Sequence, residues 1–259
     1  HLVARAAFYG QRGLTIAKAG TLWSAVGGCV VRGETEQRRN QEHGMYLITD
    51  FGALADGRTV NTAAIQAAVD ACTAAGGGTV LVPPGTFVTG TIWLRDHVEL
   101  HLEKGAILLG SPNLDDYNAD DAFVQNMRSE REQWNGAHLI LAVEVTDVAL
   151  TGSGCIDGNG PAFFETEAPP YPPRFGWSQG IRHARDKERL RPGQMLLFCE
   201  CSDVRVSGLT LRNACCWTCL FYGCEDVVAT GLRIDNPPDA ANTDGIDIDC
   251  CRQVVVSDC

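Results

Sequence analysis

A β-rich unit that recurs in the second half of the chain is the feature that most restricts its fold. Each copy has a polar pair, an alternation of β-branched residues and then Gly or Asp. The copies lie at residues 147–152, 203–208, 226–231 and 253–258, and the last three begin 23 and 27 residues apart. Similar units at such spacing are typical of solenoids, in which each unit forms one coil stacked on the previous one. Because no helical pattern separates the units, the sequence predicts an all-β solenoid, with a β-sandwich as the alternative.

One amphipathic helix is predicted before the β-rich region, over residues 61–75. Apolar residues repeat at the i, i+3, i+4 and i+7 positions of one helical face, at Ile65, Ala68, Val69 and Cys72. We expect Asn61 to cap the helix and the glycines at 76–78 to end it. A solenoid exposes strand edges and core at its two ends, so this helix is expected to cover the N-terminal end. No matching cap is visible near Cys259, which predicts a β-helix that continues beyond the chain.

The first 44 residues show neither clean periodicity nor turn patterns, and clear patterning begins at Met45. We therefore divide the chain into residues 1–44, an upstream extension or a disordered segment, and residues 45–259, the N-terminal part of one β-helix domain. A start at Met45 leaves no export signal and predicts a cytoplasmic protein. Secretion is the alternative, and the apolar run that leads to Cys29 faintly resembles a lipoprotein signal.

Composition and charge restrict the partners of the protein. Its 259 residues are enough for one large domain with a sizeable core. The formal net charge of −11 argues against binding to nucleic acid. No apolar run approaches the roughly 18 residues that a membrane span needs. We expect a monomer with no nucleic-acid or membrane partner and no cofactor or metal.

The twelve cysteines suggest disulfides or metal ligands at first sight. Adjacent cysteines on a strand point to opposite faces, and the chain has no two Cys-x-x-Cys segments that would build a zinc site. We interpret the cysteines as small reduced core residues in a reducing compartment. Disulfides are the alternative.

The segment 242–249 reads Asn-Thr-Asp-Gly-Ile-Asp-Ile-Asp and places three carboxylates within six residues. Carboxylates on an exposed strand repel each other, so a metal, a cationic partner or a proton-transfer role is expected to compensate them. If Ile246 and Ile248 point into the core, Asp247 points outward. Asp244 then shares the inward parity, unless Gly245 permits a bulge that turns it outward.

The ordered motifs resemble the polygalacturonase family of pectin-cleaving glycoside hydrolases, family 28. The matching segments run from about Ile48 to the end of the chain and include residues 50–53, 56–57, the predicted helix, residues 77–80, 82–85, 152–160 and 242–245. The last of these, Asn-Thr-Asp-Gly, is the most specific. The resemblance implies a right-handed parallel β-helix with an N-terminal capping α-helix, here C-terminally truncated.

In that family the Asp of the Asn-Thr-Asp motif is one of three catalytic aspartates, so the resemblance assigns a catalytic role to Asp244. The other two form an Asp-Asp pair about one coil later, and Gly-His-Gly and Arg-x-Lys motifs follow. None of these three motifs follows Asp244 in this chain. The resemblance implies inverting hydrolysis of α-1,4-galacturonosyl linkages in pectin or pectic oligosaccharides, with Asp244 activating the water and the general acid in the later pair. It also predicts that this chain is inactive by itself.

The other residues near Asp244 receive more limited roles. Asn242 is expected to hold a neighbouring carboxylate or a sugar hydroxyl. Asp247 is interpreted either as a substrate contact or as a structural partner within the strand ladder. Asp249 is interpreted as a solvated carboxylate at the end of a strand.

A basic segment at residues 174–191 supplies the positive charge that an acidic protein needs to bind a polyanion. It carries six basic residues against two acidic ones and follows a proline-rich stretch, so it is predicted to be a long loop. We expect it to fold over the cleft, where Arg182 and Arg185 contact galacturonate carboxylates. A solvated charged loop is the alternative.

Two rival functions stay open. A calcium-dependent pectate lyase on a similar β-helix would use the aspartates to hold Ca²⁺. A non-catalytic β-helix would bind polysaccharide without cleaving it.

Overall fold

The computed structural model describes residues 37–118, 135–166, 185 and 190–259, with a helical turn at 37–42 before the first strand. In chain order the strands are β1 (Met45–Leu47), β2 (Asp56–Val60), β3 (Gly78–Val82), β4 (Gly85–Thr89), β5 (Ile92–Trp93), β6 (Val98–Leu102), β7 (Ala106–Gly110), β8 (Ile140–Val143), β9 (Thr146–Gly152), β10 (Cys155–Asp157), β11 (Leu196–Cys199), β12 (Ser202–Ser207), β13 (Thr210–Arg212), β14 (Cys219–Tyr222), β15 (Glu225–Thr230), β16 (Arg233–Asp235), β17 (Ile246–Asp249) and β18 (Arg252–Ser257). The helix α1 (Thr62–Ala74) lies between β2 and β3. Short 3-10 helices span Ile48–Phe51, Leu114–Asp116 and Gly160–Ala162.

The strands form three parallel sheets that the chain visits in turn. Sheet A has the order β1-β3-β6-β9-β12-β15-β18, sheet B the order β16-β13-β10-β7-β4-β2 and sheet C the order β17-β14-β11-β8-β5. Each strand pairs with the strand one coil away, and the pairs are parallel. The fold is therefore the predicted right-handed parallel β-helix. The β-sandwich alternative is wrong, because sandwich sheets are antiparallel.

The recurring units lie next to one another in sheet A, in β9, β12, β15 and β18. Their register places Val148, Val204, Val227 and Val254 in one column. The first three of these side chains are buried in the core, which runs along the inside of the coils. Burying one such side chain stabilises the fold by roughly 1.5–3 kcal/mol relative to exposing it. The sequence spacing of the units is thus the length of one coil.

Helix α1 packs against β1, β3, β5 and β6 at the N-terminal end of the solenoid. All four residues of the predicted apolar face are fully buried, which confirms the prediction. Asn61 lies at the N-cap position, as expected, but its side chain makes no capping hydrogen bond to the helix. Its Oδ1 accepts a hydrogen bond from Leu54 N at 2.7 Å, and its Nδ2 donates to Thr59 O at 2.7 Å. This buried amide therefore provides hydrogen-bond partners for backbone groups of the preceding loop that water does not reach.

The cysteines of the described residues are all free, and most of them are buried. This arrangement agrees with their interpretation as small core residues. In this part of the chain no helix has the length and apolar character that crossing a bilayer requires. The division of the chain at Met45 stays a prediction, because residues 1–36 lie outside the described structure.

Candidate active site

Asp244 lies in the loop that joins β16 to β17 and is exposed to solvent. Its backbone oxygen accepts a hydrogen bond from Thr218 N at 2.8 Å, one coil earlier. The loop is therefore bonded to the stack while the residue faces outward. A carboxylate held in this way is available to a ligand without first rearranging the backbone.

The exposure of Asp244 does not come from a bulge at Gly245. Strand β17 begins only at Ile246, so the alternation of the strand does not govern Asp244. Gly245 does not adopt a positive φ, whereas Asn242 does, with φ of 55°. Asparagine tolerates this left-handed conformation better than most residues. The predicted role of Gly245 is wrong, because the chain turns three residues earlier.

Asn236 anchors the middle of the Asn-Thr-Asp segment. Its Nδ2 donates to Thr243 O at 3.1 Å and to Thr218 Oγ1 at 2.7 Å, and its Oδ1 accepts from Ala214 N at 2.9 Å. One amide thus joins the loop to the coil beneath it. The sequence gives no signal for this role of Asn236, since an asparagine before a proline is an ordinary turn residue.

Arg191 anchors the beginning of the same segment from inside the protein. The side chain is 1% exposed. Its Nη1 donates to Ala241 O at 2.6 Å and to Cys215 O, and its Nη2 donates to Asn242 Oδ1 at 3.0 Å. Arg191 was predicted to belong to the basic loop over the cleft. That placement is wrong, because its guanidinium lies in the interior beneath the loop of Asp244.

Asp247 points outward, as predicted, and is level with Leu220 of the neighbouring strand. Its atom Oδ2 is shielded from solvent and has no hydrogen-bond partner among the described residues. Burial, and then the negative charge of Asp244, raises the pKa of Asp247 to about 6. Its neighbour in register, Leu220, is apolar, so Asp247 has no polar partner at that position of the strand ladder. A buried, unpaired oxygen with a raised pKa is typical of a functional carboxyl group.

Asp249 and Asn242 are the other residues of segment 242–249 to which the sequence assigned roles. Asp249 is exposed at the end of β17, as a solvated strand-end carboxylate would be. Asn242 offers its Oδ1 to Arg191, while its Nδ2 makes no hydrogen bond to the described residues. A substrate contact through Asn242 stays a prediction.

The structure shows one of the two arginines predicted to bind galacturonate. Arg182 lies outside the described residues. Arg185 donates from Nε to Phe164 O at 3.2 Å and from Nη2 to Phe164 O at 3.1 Å and Pro161 O at 3.3 Å. These bonds attach its guanidinium to the backbone after β10. A contact between Arg185 and substrate stays a prediction.

Two Asp-Asp pairs, at 115–116 and 120–121, and one Arg-x-Lys triplet, at 185–187, lie upstream of Asp244. Asp116 accepts a hydrogen bond from Ser111 Oγ and so belongs to a local turn. The family pattern places its own pair and triplet after the Asn-Thr-Asp motif. The upstream copies therefore do not correspond to the family motifs.

A family model described as glycosyl hydrolases family 28 matches residues 97–259, which include the Asp244 loop. The chain belongs to glycosyl hydrolases family 28. A probable polygalacturonase of Vitis vinifera is 31% identical over 218 residues, covering 82% of this chain and 41% of the relative. An exo-poly-alpha-D-galacturonosidase of Dickeya chrysanthemi is 41% identical over 121 residues, covering 44% of this chain and 19% of the relative.

A solved structure supports the same family. The family 28 exopolygalacturonase of Yersinia enterocolitica superposes with a TM-score of 0.64 and 26% identity. The match covers 82% of this chain and 42% of that one. This chain thus spans less than half the length of each of these three family 28 proteins. The family assignment confirms the resemblance found in the sequence.

Proposed function

We propose that the protein hydrolyses α-1,4-galacturonosyl linkages of pectin or pectic oligosaccharides with inversion at the anomeric carbon. Membership of family 28 and the names of the relatives support this substrate class. The observation that carries the proposal is the placement of Asp244. Its exposed carboxylate lies on a loop that is bonded at each residue from 241 to 244, beside a second carboxyl group with a raised pKa.

Asp244 serves as the base in this proposal. An inverting glycosidase needs one carboxylate to take a proton from water as the water attacks the anomeric carbon. The exposed, ionisable side chain of Asp244 meets this need, and the bonded loop keeps its position fixed during attack. The leaving oxygen must receive a proton at the same time, so a separate carboxylic acid is required on the other side of the bond.

The second acid is assigned by the family pattern to an Asp-Asp pair about one coil after Asp244. The finer proposal is therefore that this 259-residue chain does not turn over substrate by itself. It supplies the base and lacks a carboxyl group in the position of the acid. Reducing-end assays that compare this chain with the complete gene product test the idea. Equal turnover by the two proteins would contradict it.

Asp247 and Asn242 contact the substrate in this proposal. Galacturonate is anionic, so ionised carboxylates near the cleft repel it. With its pKa raised to about 6, Asp247 is largely neutral below that pH and then donates a hydrogen bond instead. The Nδ2 of Asn242, which has no hydrogen-bond partner among the described residues, is a second donor two residues before Asp244. Both groups therefore suit hydroxyl or carboxylate oxygens of the sugar.

The remaining assignments are proposals as well. The partner is a pectic polysaccharide or an oligogalacturonide, and the protein acts as a monomer. Translation from Met45 would place it in the cytoplasm, where it would act on imported oligomers, and secretion is the alternative. Sequencing the N-terminus of the purified native protein and fractionating the cells separate these two locations.

Product analysis of the complete gene product on polygalacturonate tests the activity. If the protein is a hydrolase, new reducing ends should appear. Proton NMR should show the β-anomer among the first products, because the α-linkage is inverted. Retention of the α-configuration would overturn the inverting mechanism. Absence of new reducing ends from any pectic substrate would overturn the hydrolase assignment.

The same reactions separate the rivals. A calcium-dependent lyase forms an unsaturated product that absorbs ultraviolet light and stops when a chelator removes Ca²⁺. A non-catalytic β-helix binds the polysaccharide and releases no reducing ends. A hydrolase should form no unsaturated product and should cleave the polysaccharide that it binds.

A further inference from the structure

Arg191 is the largest fully buried side chain among the described residues, and its contacts span three successive coils. It lies just before β11, while Cys215 and Ala241 lie one and two coils further along the chain. Its guanidinium carbon also stands 5.3 Å from the ring centroid of Phe164. Burying a guanidinium costs free energy unless its donors are satisfied. The charge-assisted bonds to the loop before Asp244 are part of what satisfies them.

The chemistry of arginine decides the orientation of the Asn242 amide. A guanidinium carries five N–H donors and no acceptor. The amide atom that faces Nη2 of Arg191 must therefore be the oxygen, and the distance of 3.0 Å agrees. The NH₂ group of Asn242 is then turned away from the guanidinium. The donor character of this position is thus imposed by a residue 51 positions earlier in the sequence.

The same guanidinium also holds the backbone of Asn242. A non-glycine residue with φ of 55° persists where its surroundings hold it. Here Nη1 of Arg191 bonds the carbonyl immediately before Asn242 while Nη2 bonds its side chain. The two nitrogens of one planar group thus fix the main chain and the amide together.

We infer that Arg191 is a positioning residue: its buried guanidinium holds Asn242 in the left-handed conformation and presents the amide NH₂ beside Asp244. The consequence for catalysis rests on the proposed function. The conformational part does not, because it concerns only the folded chain. Lysine at this position cannot reproduce the fork, since its single ammonium has no rigid pair of donors.

Structures of the complete gene product with Arg191→Lys and Arg191→Gln test the conformational part. We expect residue 242 to leave the left-handed region or its amide to flip in both variants. Arg212→Lys is the control, because Arg212 also bonds the preceding coil, through Asp157 at 2.7 Å on sheet B, but donates no hydrogen bond to residues 241–244. Unchanged backbone and amide of Asn242 in both Arg191 variants would overturn the inference.

A double-mutant cycle tests the catalytic consequence and separates it from folding. Arg191→Lys should lower kcat/KM by roughly 100-fold, because slightly misplaced groups at the site lose about that much rate. Arg212→Lys should not lower it. In an Asn242→Ala background, Arg191→Lys should cost less than 3-fold, about 0.6 kcal/mol or less, because the group it positions is gone. Independent, multiplying losses would overturn action through Asn242.

Failure of the proposed function gives a different result. If the wild-type protein cleaves no pectic substrate, the proposed function is contradicted. The structures of the Arg191 variants still test the conformational inference in that case. An active wild-type protein in which both Arg191 variants leave Asn242 unchanged contradicts the inference and leaves the function standing.

Discussion

The two ends of the solenoid differ in how their inward-facing residues are covered. At the first coils, helix α1 lies across the stack, and Ile65 is fully buried. At the last coil, Ile248 is 49% and Val256 is 42% exposed, although both face inward. Their register partners one coil earlier, Phe221 and Ala229, are fully buried. Strand parity therefore sets the direction of a side chain, and the neighbouring coil or helix decides its burial.

The candidate site belongs to the less covered coil. Asp244 and Asp247 lie on the same coil as Ile248, so solvent reaches a carboxylate and an apolar residue at neighbouring positions. At the helix-covered end, in contrast, the buried amide of Asn61 is bonded to backbone groups of its own loop. Among the described residues, the amide of Asn61 is thus satisfied internally, whereas the side chain of Asp244 faces solvent.

The strongest test of the contrast is Asp244→Asn in the complete gene product. We expect kcat to fall about 10²- to 10⁴-fold, because the amide cannot accept the proton of the attacking water. The melting temperature should not change, since the side chain is exposed. Steady-state kinetics and thermal denaturation measure the two quantities. Asp249→Asn is the control and should retain activity, and an equal loss there would remove the special role of Asp244.

The second test compares an apolar truncation at each end of the 259-residue chain. Ile65→Ala should lower the free energy of unfolding by about 2–5 kcal/mol, because it leaves a cavity beneath the helix. Ile248→Ala should lower it by about 1 kcal/mol, since half of that side chain already contacts water. Urea denaturation measures both values. Equal losses would show that the two ends are covered to the same degree.

The third test uses the pKa of Asp247. Since this pKa is raised to about 6 in the folded protein, the folded state binds the proton more tightly than the unfolded state does. Stability from this group is present below the unfolded value of about 4 and is lost as pH rises through 6. Relative to Asp247→Asn, the wild type should therefore lose melting temperature between pH 4 and pH 7.

The size of this effect is limited because Asp247 is only half buried. We expect a difference of no more than about 4 °C between wild type and Asp247→Asn across this range. A matched scan of Asp249→Asn controls for the general effect of removing a carboxylate from β17. A wild type that gains stability with rising pH, relative to Asp247→Asn, would contradict the assigned direction.

The smallest effect is expected for Gly245→Ala. A Cβ added at Gly245 would lie 3.4 Å from Ile234 Cδ1, an ordinary contact, and φ there is not positive. Stability should change by less than about 0.5 kcal/mol and activity should persist. Gly78→Ala at the covered end is the contrasting control, because its Cβ would lie 2.3 Å from Gly44 O. A severe loss of stability or activity in Gly245→Ala would instead support the bulge at Gly245 that the sequence predicted.

Sequence patterns predicted the parts of this protein that depend on residues close together in the chain. The repeat of 23 and 27 residues predicted stacked coils, the spacing of four apolar residues predicted helix α1, and the Asn-Thr-Asp segment pointed to Asp244. The alternation through Ile246 and Ile248 also gave the correct inward direction. Each of these signals lies within one coil, where side-chain direction follows from local backbone geometry.

The tertiary structure alone decided which residues support and tune the site. Arg191 looked like a surface charge, yet it bonds residues 24, 50 and 51 positions away. The raised pKa of Asp247 arises from burial and from Asp244, and burial depends on how coils stack. Neither property has a local sequence pattern, because stacking brings together residues whose separation is set by the lengths of whole coils. The sequence determined the coil and its principal carboxylate, and the stack determined how that carboxylate is held.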